Sequence, residues 1–287
     1  MKKSVKILAG LTAFVLIGGI LWFANGLLGN PISKAIANNT AKKYIEENYS
    51  DMNLEISDAF YSFKSGSYYV DVKSPTSKDT YFSISISSLG KIEYDSYEDN
   101  VIKKFNTYIR LNELYDKKIK SVFENKEFPY KSDISYGELR EMTSKDSDSE
   151  YTEFGPAYGL NLSELELDKD YNINKIGKKF GHIVFYAQDE DISIKRASEI
   201  LLDIKNILDE KNVSFHAIDF TLEKPREGEQ VNTEDKSISI EQFLYSDIYE
   251  NGIENRMKKA IDNLQKHYEE QDKIKEKEMK LLKEEEG

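Results

Sequence analysis

Hydrophobic patterning divides the chain sharply at residue 28. Ile7 to Leu28, ILAGLTAFVLIGGILWFANGLL, runs for twenty-two residues without a charge and follows Lys2, Lys3 and Lys6. About 20 such residues, each rising ~1.5 Å, cross a hydrocarbon core of roughly 30 Å. Twelve of the positions are Leu, Ile, Val or Phe. At about −0.3 to −0.6 kcal/mol each near mid-membrane they outweigh the glycines and the threonine. The pattern predicts a transmembrane helix over 7–28. The competing reading, a cleavable signal, has an apolar centre of only ~7–15 residues. Its two small-x-small sites are poorly placed: Ala24-Asn25-Gly26 lies inside the run, and Ala35-Ile36-Ala37 follows Pro31 and Lys34. A retained anchor is therefore expected. Lysines resist translocation, so residues 1–6 are expected as a cytoplasmic tail, with the chain from about Gly29 outside.

After Gly29-Asn30-Pro31 the period changes. Asparagine can cap and proline can occupy the first turn of a helix over about Ile32 to Asn48, with Ile32, Ile36, Ala41, Tyr44 and Ile45 in one stripe. Alternation then predicts strands carrying Met52, Leu54 and Ile56, then Ala59, Tyr61 and Phe63 beyond a bulge near Asp58. Further strands carry Tyr68, Val70 and Val72; Phe82, Ile84 and Ile86; and Ile92 with Tyr94. This is a four-stranded antiparallel meander needing a helical cover, supplied by the first helix and by a longer one over about Glu98 to Lys126. Residues 30–127 make the first α+β domain.

Residues 128–248 make a second. A strand begins near Ile134 and Tyr136, and KDSDSE at 145–150 reads as a solvated loop. His182 to Ala187 is an apolar run, Ile192 to Lys211 an amphipathic helix, and Val213 to Leu222 apolar again. Strand, helix and strand imply a βαβ unit with parallel neighbours. With a strand near Ser237 to Ile240, the unit is an open helix-on-sheet sandwich, for which a ferredoxin-like arrangement is one form. The loop Pro225 to Lys236 is polar. Residues 249–287 form a charged C-terminal helix whose apolar stripe, Ile253, Met257, Ala260, Ile261, Leu264 and Tyr268, thins toward the end. The fold class is thus α+β: an N-terminal transmembrane helix, then two helix-on-antiparallel or mixed-sheet domains.

Composition removes several classes of function. The chain has 52 acidic against 40 basic residues, a formal charge of −12, which is unsuited to a nucleic-acid surface. Without cysteine there is neither a disulfide framework nor thiol chemistry, which suits a bacterial cell surface. Asp168 to Lys179, DKDYNINKIGKK, begins like a calcium loop but puts Ile173 where glycine is needed and Lys179 where a bidentate glutamate must sit. It reads instead as a short capped helix closed by Gly181. His182, His216 and His267 lack a third ligand in any metal-binding spacing. No G-x-S-x-G elbow occurs, and Gly177-Lys178-Lys179 lacks the upstream glycine of a phosphate loop. No catalytic, cofactor-binding or metal-binding residue is therefore assigned, and no cofactor is expected. Among nineteen tyrosines, Tyr69 and Tyr81 are out of phase with the buried positions and can face outward as contacts for a partner.

The segments GNPISKAIA, YIEENYSDMNLEISDAFYSFKSGSYYVDVKSP, GHIVFYA and VSFHAIDFTLEKP, following an amino-terminal apolar helix, resemble the YfjL-like membrane proteins of Gram-positive bacteria. The resemblance implies a single-pass exported protein with two α+β domains and transfers no catalytic residue. The expected function is a non-enzymatic binding or scaffold protein of the cell envelope, held by one span in the cell membrane and engaging a protein partner. An envelope hydrolase, or a regulator of one, is the alternative; it requires a deep polar cleft with convergent ionisable groups.

Overall fold

The computed structural model describes residues 3–142, 151–152, 155–156, 158–225 and 237–285. The charged stretch 145–150 and most of the polar loop 225–236 lie outside them. The architecture is α+β. An apolar helix α1 (Lys3–Leu28) leads into two compact units, one formed by 1–108 with 165–169 and the other by 109–164 with 170–287.

In the first unit α2 (Pro31–Asn48) is started by Asn30, whose side chain accepts from the Ser33 amide. It lies on a sheet of β1 (Glu55–Ile56) and β2 (Phe60–Ser62), both paired to β3 (Ser67–Lys73), followed by β4 (Tyr81–Ile86) and β5 (Ile92–Asp95). This is the expected antiparallel meander. Tyr68, Val70 and Val72 stand opposite Ile86, Ile84 and Phe82, and all six are buried. Ala37 and Ala41, fully buried on α2, leave the helix axis free to approach the sheet, and Ile45 fills the remaining space. Each fully buried Val, Ile or Phe contributes roughly 1.5–3 kcal/mol. Ile56 faces Val72 while Phe60 faces Tyr69, so residues 57–59 oppose only two residues of β3, as the phase change near Asp58 predicted. The Ala59 amide in this bulge donates to Asn38 Oδ1 of α2 at 2.7 Å.

The long helix expected over 98–126 is broken. Residues Glu98–Ile102 form a single π turn that buries Val101 in the first core, Lys104 adopts φ +66°, and α3 (Phe105–Phe123) starts afresh. Leu111, Tyr115, Ile119, Val122 and Phe123, all buried, fall within the second unit. Lys104, in the left-handed region, separates the π turn from α3. The division between units thus falls inside α3, at 108/109, where the sequence reading set it after the helix, at 127/128.

Residues Leu165–Lys169, which the sequence reading assigned to the second domain, belong to the first unit. A reciprocal carboxylate knot holds them. Fully buried Asp79 accepts at Oδ2 from Thr107 Oγ1 (2.9 Å) and from the Asp168 amide (2.8 Å), while Asp168 Oδ1 accepts from the Lys78 and Asp79 amides (2.6 and 3.1 Å).

The second unit is built on a sheet of order β11-β10-β9-β6: β6 (Ser135–Leu139), β9 (Gly181–Gln188), β10 (Ala217–Glu223) and β11 (Ile238–Leu244). A two-residue ribbon pairs β7 (Tyr151–Thr152) with β8 (Gly155–Pro156). β9 and β10 are parallel and adjacent, joined through α5 (Ile194–Glu210), as the βαβ reading required. A ferredoxin-like split βαβ would separate the parallel strands by another strand, so that form is not the one adopted. The Asp168–Lys179 stretch contains α4 (Ile173–Phe180), capped by Asn172 and ended by Gly181. On one sheet face Ile183, Phe185, Ile218, Phe220 and Leu222 are fully buried. Phe123 of α3 meets Phe185 at 4.7 Å between ring centres, and Gly137 lets Ile119 and Tyr115 come close to β6. The last helix, α6 (Ile253–Glu285), buries Ile253, Met257 and Leu264.

Candidate functional site

Two features stand out from the packing, one in each unit. The first is α1 with its junction to the first domain. Leu11, Phe14, Val15, Ile17, Ile20, Trp22, Phe23 and Leu28 are all exposed, on every side of the helix. Among the described residues this is the one helix long and apolar enough to cross a membrane. Its carboxyl end is finished in an unusual way. Gly29 at φ +68° returns its amide to Asn25 O at 2.9 Å. The Gly26 carbonyl, one of the terminal acceptors a helix leaves unpaired, accepts from Tyr61 OH at 3.1 Å. The Asn30 amide donates to Tyr68 OH at 2.7 Å, and that phenol donates back to Asn30 O at 3.1 Å. Tyr61 and Tyr68 pack ring on ring, with centres 5.1 Å apart. A side chain at residue 29 would collide with both: its Cβ would lie 2.6 Å from Tyr68 OH and 2.8 Å from Tyr61 Cγ.

The second feature is the polar face of the second sheet, opposite α3. Register aligns Glu138, His182 and Ala217 across β6, β9 and β10, and Tyr136, Val184 and Asp219 in the next rung. His182 is buried, at 3 % exposure. Its Nε2 lies 3.0 Å from Asp219 Oδ2, and its Nδ1 lies 2.7 Å from Tyr158 OH. A carboxylate only accepts, so Nε2–H donates to Asp219; when the ring is neutral, Nδ1 accepts the Tyr158 proton. Asp219 is fixed in turn by a bulge in which Gln242, at φ +49°, donates its amide to Asp219 Oδ1 at 2.6 Å. Tyr158 lies under Arg140, whose guanidinium is 5.2 Å from the ring centre, and against His216 at 4.2 Å. Burial, the largest influence, pushes the Tyr158 phenol up to about 12, with Arg140 pulling the other way. Burial likewise lowers His216, helped by His182 and opposed by a hydrogen bond from its neighbourhood at Lys178.

Both nitrogens of His182 are engaged inside the protein, one by the Asp219 carboxylate and one by the Tyr158 hydroxyl, and the imidazole itself is buried. His182 lies on β9, His216 just before β10, and His267 on α6. Tyr158 and Asp219 were not anticipated. Tyr158 is far from either histidine in sequence and lies outside any recognisable element, so nothing in the residue pattern linked them.

Two grooves accompany these features. One, of about 740 Å³, lies on the first sheet along Tyr81, Asp71, Ser83, Ser57 and Lys73. Tyr81 is exposed there, as its phase predicted, whereas Tyr69 is half-buried and stacks on Phe60 at 5.8 Å. The other, of about 540 Å³, lies between β11 and α6. Its Arg256 is spent on the carbonyls of Asp247, Asn251 and Tyr249 and stacks on the Tyr249 ring at 3.5 Å.

Residues 2–96 match the family model of the YfjL-like N-terminal domain, and residues 114–258 that of the YfjL-like C-terminal domain. No curated protein and no solved structure matches the chain.

Proposed function

The chain belongs to the YfjL-like family, and on that premise we propose that it is a single-pass membrane protein of the cell envelope, whose two α+β domains stand on the extracytoplasmic side. There they bind another envelope protein without catalysing a reaction. The observation that carries this reading is α1. A helix exposed and apolar all round is unstable in water and at home in lipid. The lysines at 2, 3 and 6 favour retention of the leading end in the cytoplasm.

The test is membrane fractionation of bacteria producing the full chain with a C-terminal tag, followed by protease treatment of intact spheroplasts. The tag is expected in the membrane fraction and open to digestion. Recovery in the cytosol, or protection until the cells are lysed, overturns the reading. The binding role makes a separate claim: detergent-solubilised protein should co-purify with a stoichiometric envelope component. What supports a non-enzymatic role is the burial of His182 behind its two partners and the engagement of Arg256 by three backbone carbonyls.

A further inference from the structure

The way α1 joins the first domain bears on what that domain touches. A charge-free run from Ile7 to Leu28 that fills a hydrocarbon core brings its last turn to the headgroup region. Tyr61 reaches back alongside that turn to Gly26 O and its Cβ lies beside Gly29, so strand β2 adjoins the end of α1. The residue after β2 is Phe63, 62 % exposed, and it is followed by exposed Lys64. On the other side of the joint the second residue of α2 is Ile32, 74 % exposed and followed by Lys34. Ile32 is four residues beyond the last residue of α1, Phe63 is two residues beyond Tyr61, and both are exposed. Each has a lysine beside it, as residues at a lipid interface commonly do.

We propose that Phe63 and Ile32 form an interfacial collar that inserts among lipid headgroups around the end of α1, so that the first domain rests on the bilayer instead of swinging above it. The occupant is the phospholipid surface because the collar adjoins the helix already assigned to lipid, with Tyr61 OH tying β2 to Gly26 of that helix and Tyr68 OH tying β3 to Asn30 just beyond it. The proposal rests on the membrane reading of α1 but adds a separate contact.

The chain suits a direct test, since it has no cysteine and a single tryptophan, Trp22, inside α1. Full-length Phe63→Cys, Ile32→Cys and, as a distal control on the exposed β3–β4 turn, Thr76→Cys would each carry an environment-sensitive fluorophore. They would be reconstituted into phosphatidylcholine–phosphatidylglycerol vesicles containing a lipid quencher placed near the headgroups. Circular dichroism checks that each labelled variant folds. Quenching at 63 and 32 is expected to exceed that at 76 by at least about twofold, with blue-shifted emission, as for groups sunk ~5–10 Å into the boundary. Trp22 quenching by bilayer-depth quenchers reports the anchor independently. If Trp22 is quenched while position 63 or 32 matches position 76, the collar is overturned and the anchor stands. If Trp22 is not quenched, the anchor reading falls and takes the collar with it.

Discussion

At the scale of single residues, the sharpest constraint is at Gly29. Its left-handed backbone disfavours any β-carbon by about 1–2 kcal/mol, and the two tyrosines leave no room for one. Gly29→Ala is therefore expected to lower thermal stability of the first unit by more than that backbone cost, whereas Gly66→Ala, also left-handed but with open space around it, should show the backbone cost alone. Differential scanning calorimetry separates the two. The buried histidine makes another prediction. Tyr158→Phe deprives His182 Nδ1 of its donor and should cost on the order of 1–3 kcal/mol, measurable by urea unfolding. The phenols also set an alkaline limit. Tyr158 is raised to about 12 from 10.0, and burial raises Tyr49, Tyr115 and Tyr130 in the same direction. The folded state keeps protons that the unfolded chain has lost, so their contribution is complete below pH 10 and declines as pH rises from there toward 12. Phenolate absorbance should lag behind that of free tyrosine and then appear together with loss of the circular dichroism signal. Little of this was legible in sequence: Gly29 was recognisable as a break, but its tyrosine partners lie 32 and 39 residues downstream and meet it only through the fold of the sheet.

At the scale of elements, legibility followed local rules. The Asn30-Pro31 start of α2, the meander with its phase slip, the helix closed by Gly181 and the strand–helix–strand unit all rest on caps, turns and period, and all are present. Asn30→Ala should cost at least about 1 kcal/mol, the typical cost of a lost cap, since the Nδ2 bond to Asn25 Oδ1 goes with it. The break in the long helix was hidden because Val101 and Phe105 are spaced as if on one stripe. What interrupts them is Lys104 at φ +66°, a backbone break that a helical wheel does not register. The C-terminal helix is uneven along its length. Among the described residues its last buried one is Leu264, and Tyr268 makes a further bond to Glu241 at 2.7 Å. Truncation after Lys273 is accordingly expected to leave the unfolding midpoint nearly unchanged, while Met257→Ala, at a fully buried position, should cost roughly 2–5 kcal/mol. Parallel urea titrations of the two variants check both.

At the scale of the whole chain, neither unit is a continuous stretch of sequence. The first is completed by Leu165–Lys169, with Leu167 against its core and Asp168 tied to Asp79. Asp79→Ala leaves the Thr107 hydroxyl and the Asp168 amide without their acceptor and is expected to expose the 165–169 segment to proteolysis before the rest of the chain unfolds. Mass spectrometry of limited digests would show it. Contiguous sequence reading assigns a segment to the domain around it, so this return was invisible, as was the boundary within α3.

Because Tyr61 holds the last turn of α1 and Tyr68 holds Asn30 just beyond it, the heading of the first domain about the helix axis is coupled to the helix itself. An α-helix turns ~100° per residue, so one alanine inserted before Gly29 would swing that domain by about a quarter of a circle while lifting it barely ~1.5 Å. A flexible tether would absorb such a change unnoticed. Here the joint acts as a crank, and any neighbour that meets this protein at a fixed bearing would feel a single added residue more than a long extension of the charged tail.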